Sequence, residues 1–309
     1  MNQQMNTTIA LLKRETWEHR SFWMVPLVMA GIILVLFLWA MVYGVPQAGG
    51  YSVWVENMEF AGTEELGQLG KLLIPGLALP FFIMVEVVTL FYLLDSLSAE
   101  RRDRSILFWK SLPVTDTATV LSKWAAIVLV FPAIVFAVVV ALSLVLGLLT
   151  GIFVMFGGGN PWTLVWQHMN PFAGLGATMV FFYVETLWYL PVMGWLLLAS
   201  AWARKGPFLW AVLPPLGLIV LEQMFFDTDY LLDTVIDRLA LFTGHSGIVQ
   251  MFEREVDVFD GQLQISGGAG FELGMFAELF ATPQFWTGLG FAVLCTVAAI
   301  WLRRYRDES

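Results

Sequence analysis

Charge is what this chain lacks most: Asp, Glu, Lys and Arg supply 13% of its 309 residues, about half of the roughly 25% found in ordinary soluble domains. With 58% hydrophobic residues and a mean hydropathy of +0.74, that excludes a water-soluble globular fold. Cysteine is almost missing as well. The single Cys295 lies in the last apolar run, so neither a disulfide framework nor a cysteine metal site can form within one chain. The three histidines, His19, His168 and His245, fall outside the apolar runs, which excludes a His-rich metal site inside the membrane. No spacing supports a Ser/His triad. The phosphate-loop pattern Gly-x-x-x-x-Gly-Lys-Ser/Thr occurs nowhere, so the chain cannot hydrolyse ATP by that route alone. "GGGNP" at 157–161 lacks the Lys and hydroxyl that would engage phosphate and magnesium and reads as a turn. These absences predict a protein that is not an enzyme on its own.

Six apolar stretches are present, at approximately 21–43, 72–94, 124–149, 173–199, 208–226 and 284–302. Each is close to the about 20 residues that cross a hydrocarbon layer. They predict an all-α polytopic membrane protein, a single six-span domain over residues 1–309. The first run follows Lys13, Arg14 and Arg20. It is too long for a secretory signal core and no small-residue cleavage site follows, so it reads as a retained helix. Six crossings put both termini on one side. Of the 16 Lys and Arg, all but Lys71, Arg238 and Arg254 lie in the N-terminal segment, the 95–123 loop, the 204–205 turn and the C-terminal tail. The positive-inside rule therefore predicts cytoplasmic termini. The net charge of −9 comes mostly from the opposite loops and implies no basic partner and no nucleic acid.

Residues 7–20 read as a short helix on the membrane surface, with Ile9, Leu12 and Thr16 on one face, Trp17 at its edge, and Glu15, Glu18 and Arg14 opposite. Leu11 falls on the wrong side, so an ordinary charged lead-in stands as the alternative. The 44–71 stretch is acidic and reads as a loop too short for a domain. Residues 227–282 form the largest non-spanning piece. "DYLLDTVIDRLALF" sets Leu232, Val235, Ile236, Leu239 and Phe242 against Asp229, Asp233 and Asp237, an amphipathic helix. "VDVFDGQLQI" alternates about Asp260-Gly261, a hairpin signal. "FELGMFAELFATP" gives a second helix before the last span. Helix, hairpin and helix would cap the membrane domain, either as packing on helix ends or in handling a substrate.

The polar interruption at 96–124, "SLSAERRDRSILFWKSLPVTDTATVLSKW", needs a reason. Ser98 offers an N-cap with Glu100 near the positive helix end. Ile106, Leu107, Phe108 and Trp109 form an apolar ridge, Pro113 ends the run, and Thr115, Asp116 and Thr117 supply a cap for the third span. Leaving such a ridge in water costs about 1.5 to 3 kcal/mol per large side chain. The inner lipid surface or a soluble protein could bury it. Glu100, Asp103 and Asp116 fit an anionic leaflet poorly, whereas a mixed-charge rim around an apolar anchor is what protein interfaces show.

"SAERRDRSILFWKSLPVTDTATVLSK" resembles the segment between the second and third spans of bacterial ATP-binding cassette (ABC) transporter permeases of the type-2 exporter class. The similarity extends to "LLKRETWEHRSFW" near the N-terminus and to "LWYLPVMGWLLLASAWARKGPFLWAVLPPLGLIVLEQ" at 187–223. The resemblance implies that residues 100–112 form the coupling helix that fits a groove on a separate cytoplasmic ABC ATPase subunit. Ile106, Phe108 and Trp109 would be its anchors, Glu100 and Arg104 would fix register, and Arg101, Arg102, Asp103 and Lys110 would surround them. It also implies that 7–20 is an interfacial elbow helix and that 200–207, with Arg204 and Lys205, makes a second, smaller contact. The complex would hold two ATPase copies and a second permease chain, the same or a sister, in membrane lipid of the bacterial inner membrane. This chain would bind no cofactor, with ATP and Mg on the partner subunit.

Three carboxylates interrupt the apolar runs: Glu86, Glu185 and Glu222. A carboxylate at mid-membrane costs several kcal/mol unless protonated or partnered, and so marks a functional candidate. Glu222 is close enough to a helix end to reach water. Glu86 and Glu185 either link helices within the bundle or line a translocation path. The rival reading is a proton-coupled secondary transporter using them, although the repeated halves usual in such carriers are missing from the sequence.

Overall fold

The computed structural model describes residues 2–103, 114–167, 171–239, 256–259, 262–265 and 280–305. Helix α1 (Asn2–Glu18) leads into α2 (Ser21–Gln47), α3 (Tyr51–Ser96), the short α4 (Ser98–Arg102) and α5 (Asp116–Phe156). There follow α6 (Pro171–Trp188), α7 (Leu190–Trp202), α8 (Pro207–Phe226), α9 (Tyr230–Leu239) and, last, α10 (Pro283–Tyr305). Between α9 and α10, strand β1 (Val256–Phe259) pairs antiparallel with β2 (Gln262–Ile265), Val256 opposite Ile265.

Among the described residues five helices are long and apolar enough to cross a membrane, and α6 with α7 makes a sixth where that pair, bent by 53°, is taken as one span. The chain is a polytopic α-helical membrane protein. The bend falls at Tyr189, just before Pro191, which has no N–H for the carbonyl one turn back. Helix α5 overruns its apolar stretch at both ends. Pro132 falls inside it just after a π-helical turn at Ala126–Val130 without ending it, the helix stops at Gly157, and Thr115 caps its start by accepting from the Ala118 N–H at 3.2 Å.

The acidic stretch expected as a loop over 44–71 is mostly helix. From Tyr51 onward α3 is broken only at Gly62, which takes φ 76° and ψ 174°. That stretch folds because it has apolar surface to bury: Val55 and Leu66 close a small core with Val154, Leu164 and Val165, while Glu56 and Glu59 face outward. The "GGGNP" turn is held against it. A Cβ on Gly157 would stand 2.5 Å from the Tyr51 carbonyl oxygen, so only glycine fits there.

The main core lies between α3, α5 and α7, with Phe81, Phe82, Leu93, Ile127, Phe131, Val139 and Leu197 fully buried. Phe22 of α2 stacks on Phe131 at 4.7 Å. Helix α7 is central, packing on α3, α8 and α10. It approaches α10 closely at Gly194, where an added Cβ would lie 2.9 Å from the Ala292 Cα, the small-residue contact that lets membrane helices meet. By contrast α2 and α8 leave most of their large apolar side chains exposed, the surface a hydrocarbon solvent accepts without cost.

Candidate functional site

At one end of the bundle, the two flanks of the polar loop are tied to three other segments by charge. Ser98 is not an N-cap: it is the first residue of α4, Leu97 before it makes a slight kink at φ −100° between α3 and α4, and the Ser98 hydroxyl donates back to the Leu94 carbonyl at 2.9 Å. Ser200 of α7 fills the kink instead. Its Oγ accepts from the N–H groups of Leu97 and Ser98, both at 3.1 Å, and donates to the Leu94 carbonyl at 2.8 Å. Arg101 then forks over the C-terminal end of α7, donating to the carbonyls of Ser200, Ala201 (2.6 Å) and Ala203 (2.9 Å). Those are carbonyls that a helix end leaves without partners, and the negative helix end favours the cation.

Glu100, on the inward side of α4, is 6% exposed. Lys123 Nζ stands 3.1 Å from Glu100 Oε1 and 3.1 Å from Glu15 Oε1 of α1. Arg303, in the last turn of α10, donates to Glu100 Oε2 through Nη1 and lies 2.9 Å from Asp116 Oδ1 through Nε. Arg14 lies 3.8 Å from Glu100, and the Tyr92 hydroxyl donates to Glu15 Oε2 at 2.7 Å. Three carboxylates and three cations, from α1, α4, α5 and α10, thus share one buried site. Arg303 bonds to both sides of the polar loop, Glu100 before it and Asp116 after it. Burying charge is tolerated only with partners of this kind.

This geometry corrects two expectations. Glu100, expected to help fix register on a partner, is buried in this cluster rather than presented at the surface. The inner face of α1 is also not the one its hydrophobic pattern favours: Leu11 and Glu15 are buried, with Thr16 beside them, and Trp17 is exposed. Ion-pairing with Lys123, itself 2% exposed, outweighs a weak apolar moment. His19 closes this side. Burial pulls its imidazole below the usual range, and Lys123 adds to that; Glu15, 3.9 Å away, opposes both without prevailing.

The remaining sequence candidates are spread out. Arg102 and Asp103 are exposed next to one another, at 3.5 Å. Arg104, Ile106, Phe108, Trp109 and Lys110 lie outside the described residues. Arg204 and Lys205 are exposed in the turn between α7 and α8. Glu222 acts locally, accepting from the Leu231 N–H (2.8 Å) and the Thr228 hydroxyl (2.9 Å) and so fastening the start of α9. Glu86 lies on α3 and Glu185 on α6, two helices that pack on one another. Glu86 Oε1 is buried with no hydrogen-bond partner among the described residues, and Glu185 is 2% exposed.

A third buried cation, outside the cluster, was not expected. Arg238 turns inward from α9, while Ile236 and Leu239 of the predicted apolar face are half exposed. Its guanidinium stacks 4.0 Å over the Trp188 ring and donates to the carbonyls of Trp188 (3.0 Å) and Gln284. Burial lowers its pKa, with Asp237 opposing, but a guanidinium stays charged. Gly288 makes the space, since a Cβ there would come 2.7 Å from Arg238 Nη2.

Sequence reasoning missed Glu15, Tyr92, Lys123 and Arg303 as one site. The available signal was a charge within a turn of an apolar run on several segments at once. No family model, curated protein or solved structure matches the chain.

Proposed function

We propose that this chain is the membrane-spanning permease subunit of an ATP-driven ABC exporter, coupling hydrolysis by a separate cytoplasmic ATPase to movement of a substrate across the bacterial inner membrane. The observation that carries the reading is Arg303 bonded to Glu100 and Asp116, on either side of residues 104–113 in the sequence, with Lys123 linking the same cluster to α1. A loop meant only to connect two spans needs no such bracing. A loop that receives force does, because a load on its apolar ridge then reaches α1, α3, α5 and α10 as a unit. In this reading the ridge of Ile106, Phe108 and Trp109 is gripped by the ATPase, with Arg102 and Asp103 at the rim and Arg204 and Lys205 as the smaller second contact. The termini are cytoplasmic, six spans make half a pore, and a second permease chain completes it. ATP and Mg belong to the partner, and this chain performs no catalysis alone.

The test is co-expression with a candidate cytoplasmic ABC ATPase subunit. Trp109→Ala and Phe108→Asp should leave a monodisperse helical protein while the ATPase no longer co-purifies and substrate-stimulated ATP turnover is lost. Unchanged co-purification and turnover in both variants would refute the docking assignment.

One observation favours the rival, a proton-coupled carrier: two carboxyls within the apolar spans, Glu86 with a buried Oε1 that has no partner among the described residues and Glu185 at 2% exposure, stand on the packed helices α3 and α6, and Glu185 lies one turn before the α6–α7 bend. Proteoliposomes of the chain alone decide between the two. The carrier predicts transport driven by a pH gradient and abolished in Glu86→Gln and Glu185→Gln, whereas the permease predicts none until ATPase and ATP are supplied.

A further inference from the structure

The ends of α7, α8 and α10 enclose an open groove of about 390 Å³, within the range of small-molecule sites. Trp195, Leu198 and Trp202 of α7, Trp210 and Pro214 of α8, and Trp301 of α10 form its walls. Every lining side chain is apolar or aromatic. The indole N–H of Trp195 is already given to the Ala211 carbonyl at 2.8 Å, so it offers a ligand no donor. Trp202 and Trp210 meet edge to face, with ring centres 6.3 Å apart, and make one rim. Trp202, Trp210 and Trp301 remain about half exposed, so the groove opens sideways from helices that belong to the apolar spans. Its natural filling is hydrocarbon.

One end of this trough is basic. Arg204 and Lys205 follow Trp202 by two and three residues, and Arg304 stands one turn beyond Trp301 with its guanidinium 5.4 Å over the Tyr305 ring. All three are exposed, and residues 190–221, which supply two of the walls and the turn, contain no Asp or Glu. A hydrocarbon slot ending at cations that form no ion pair among the described residues matches one ligand chemistry, an apolar chain with an anionic head. Tryptophans at the junction fit the level of lipid headgroups. We propose that the groove holds one acyl chain of an anionic phospholipid, with the headgroup phosphate at Arg204, Lys205 and Arg304. This site is separate from the ionic cluster; it shares Arg204 and Lys205 with the smaller ATPase contact of the proposed function, so it is tested on the chain without an ATPase, where its failure leaves that reading untouched.

The test uses the full-length chain in detergent, offered equimolar phosphatidylglycerol and phosphatidylcholine and read by native mass spectrometry. The native chain should retain one phosphatidylglycerol in preference to phosphatidylcholine. Arg204→Gln with Lys205→Gln, both on the surface and outside the core, should lower that preference about 30-fold, given roughly 1 kcal/mol per basic residue at a headgroup. Leu198→Trp, which fills the groove, should remove retention of both lipids. An unchanged preference in the double variant, or unchanged retention in Leu198→Trp, overturns the site. Conversion of a dimer to monomer by Leu198→Trp, with lipid retention intact, also overturns it, because the groove would then be a contact between copies.

Discussion

Replacing Arg303 with Met keeps much of the length and apolar bulk of the side chain and deletes its charge. Arg303 is 7% exposed and Glu100 6%, so the loss falls on a buried pair, where removing one partner costs about 3–5 kcal/mol. Two features hold the figure to the lower end. Lys123 remains 3.1 Å from Glu100, and the Asp116 side chain is 25% exposed and can turn to water. The working value is therefore about 3 kcal/mol of local stability, which at 1.4 kcal/mol per tenfold is roughly 100-fold. Hydrogen–deuterium exchange should show it at the amides of 98–103 and 117–120, while the centre of α5 near Val139 keeps its protection. Arg303→Lys should fall between, because an ammonium can serve Glu100 or Asp116 but lacks the fork to serve both. The double variant Glu100→Gln/Arg303→Met should recover part of the loss, since the buried carboxylate that Arg303 leaves behind is then neutral and only the more exposed Asp116 lacks its partner. A change under about threefold in the single variant, or a double variant as loose as the single, would show that Arg303 braces nothing; additive noise alone is about 0.3–0.5 kcal/mol.

Three further outcomes follow from the same contacts. His19 has a folded pKa below its ordinary value near 6.5, so the unfolded chain takes up the proton first and stability present above about pH 6.5 declines as pH falls toward the lowered value; His19→Gln should flatten the pH dependence of Tm there, and an equal slope in both proteins would refute the assignment. Gly194→Val would force its Cβ onto the Ala292 backbone and should cost about 1–3 kcal/mol by thermal unfolding in detergent, against little change for Gly217→Ala, which has open space; equal shifts would mean α7 and α10 part easily. Arg238→Met should release α9 and make 230–239 a fast site of limited proteolysis, whereas Asp237→Asn should cleave as the native chain does.

The spans are legible in sequence because hydrophobicity adds along a helix and the bilayer fixes the length that counts. The stretch at 51–75 was not, because its acidic residues mask a stripe: Val55 needs Val154 and Leu164, a hundred residues away, before helix becomes its better state. The same non-local dependence hid the centre of the site. On its own, α1 has a pattern that points Ile9 and Leu12 inward, and within its own 17 residues only Leu11 says otherwise.

What turns α1 is a residue 108 positions later. Lys123 lies at the start of the long apolar run of α5, and a lysine that packing withdraws from water must find carboxylates or give up its charge. Glu15 and Glu100 are the ones within reach, so the helix that carries Glu15 rotates to deliver it, and Leu11 goes in with it. Arg303 meets the same demand at the end of α10 and satisfies it with Glu100 and Asp116. The polar loop is thereby framed by charges that sequence assigns to a solvated rim but packing assigns to the interior. Which side of that line a charge falls on depends on the helices around it, and periodicity in one segment carries no information about those.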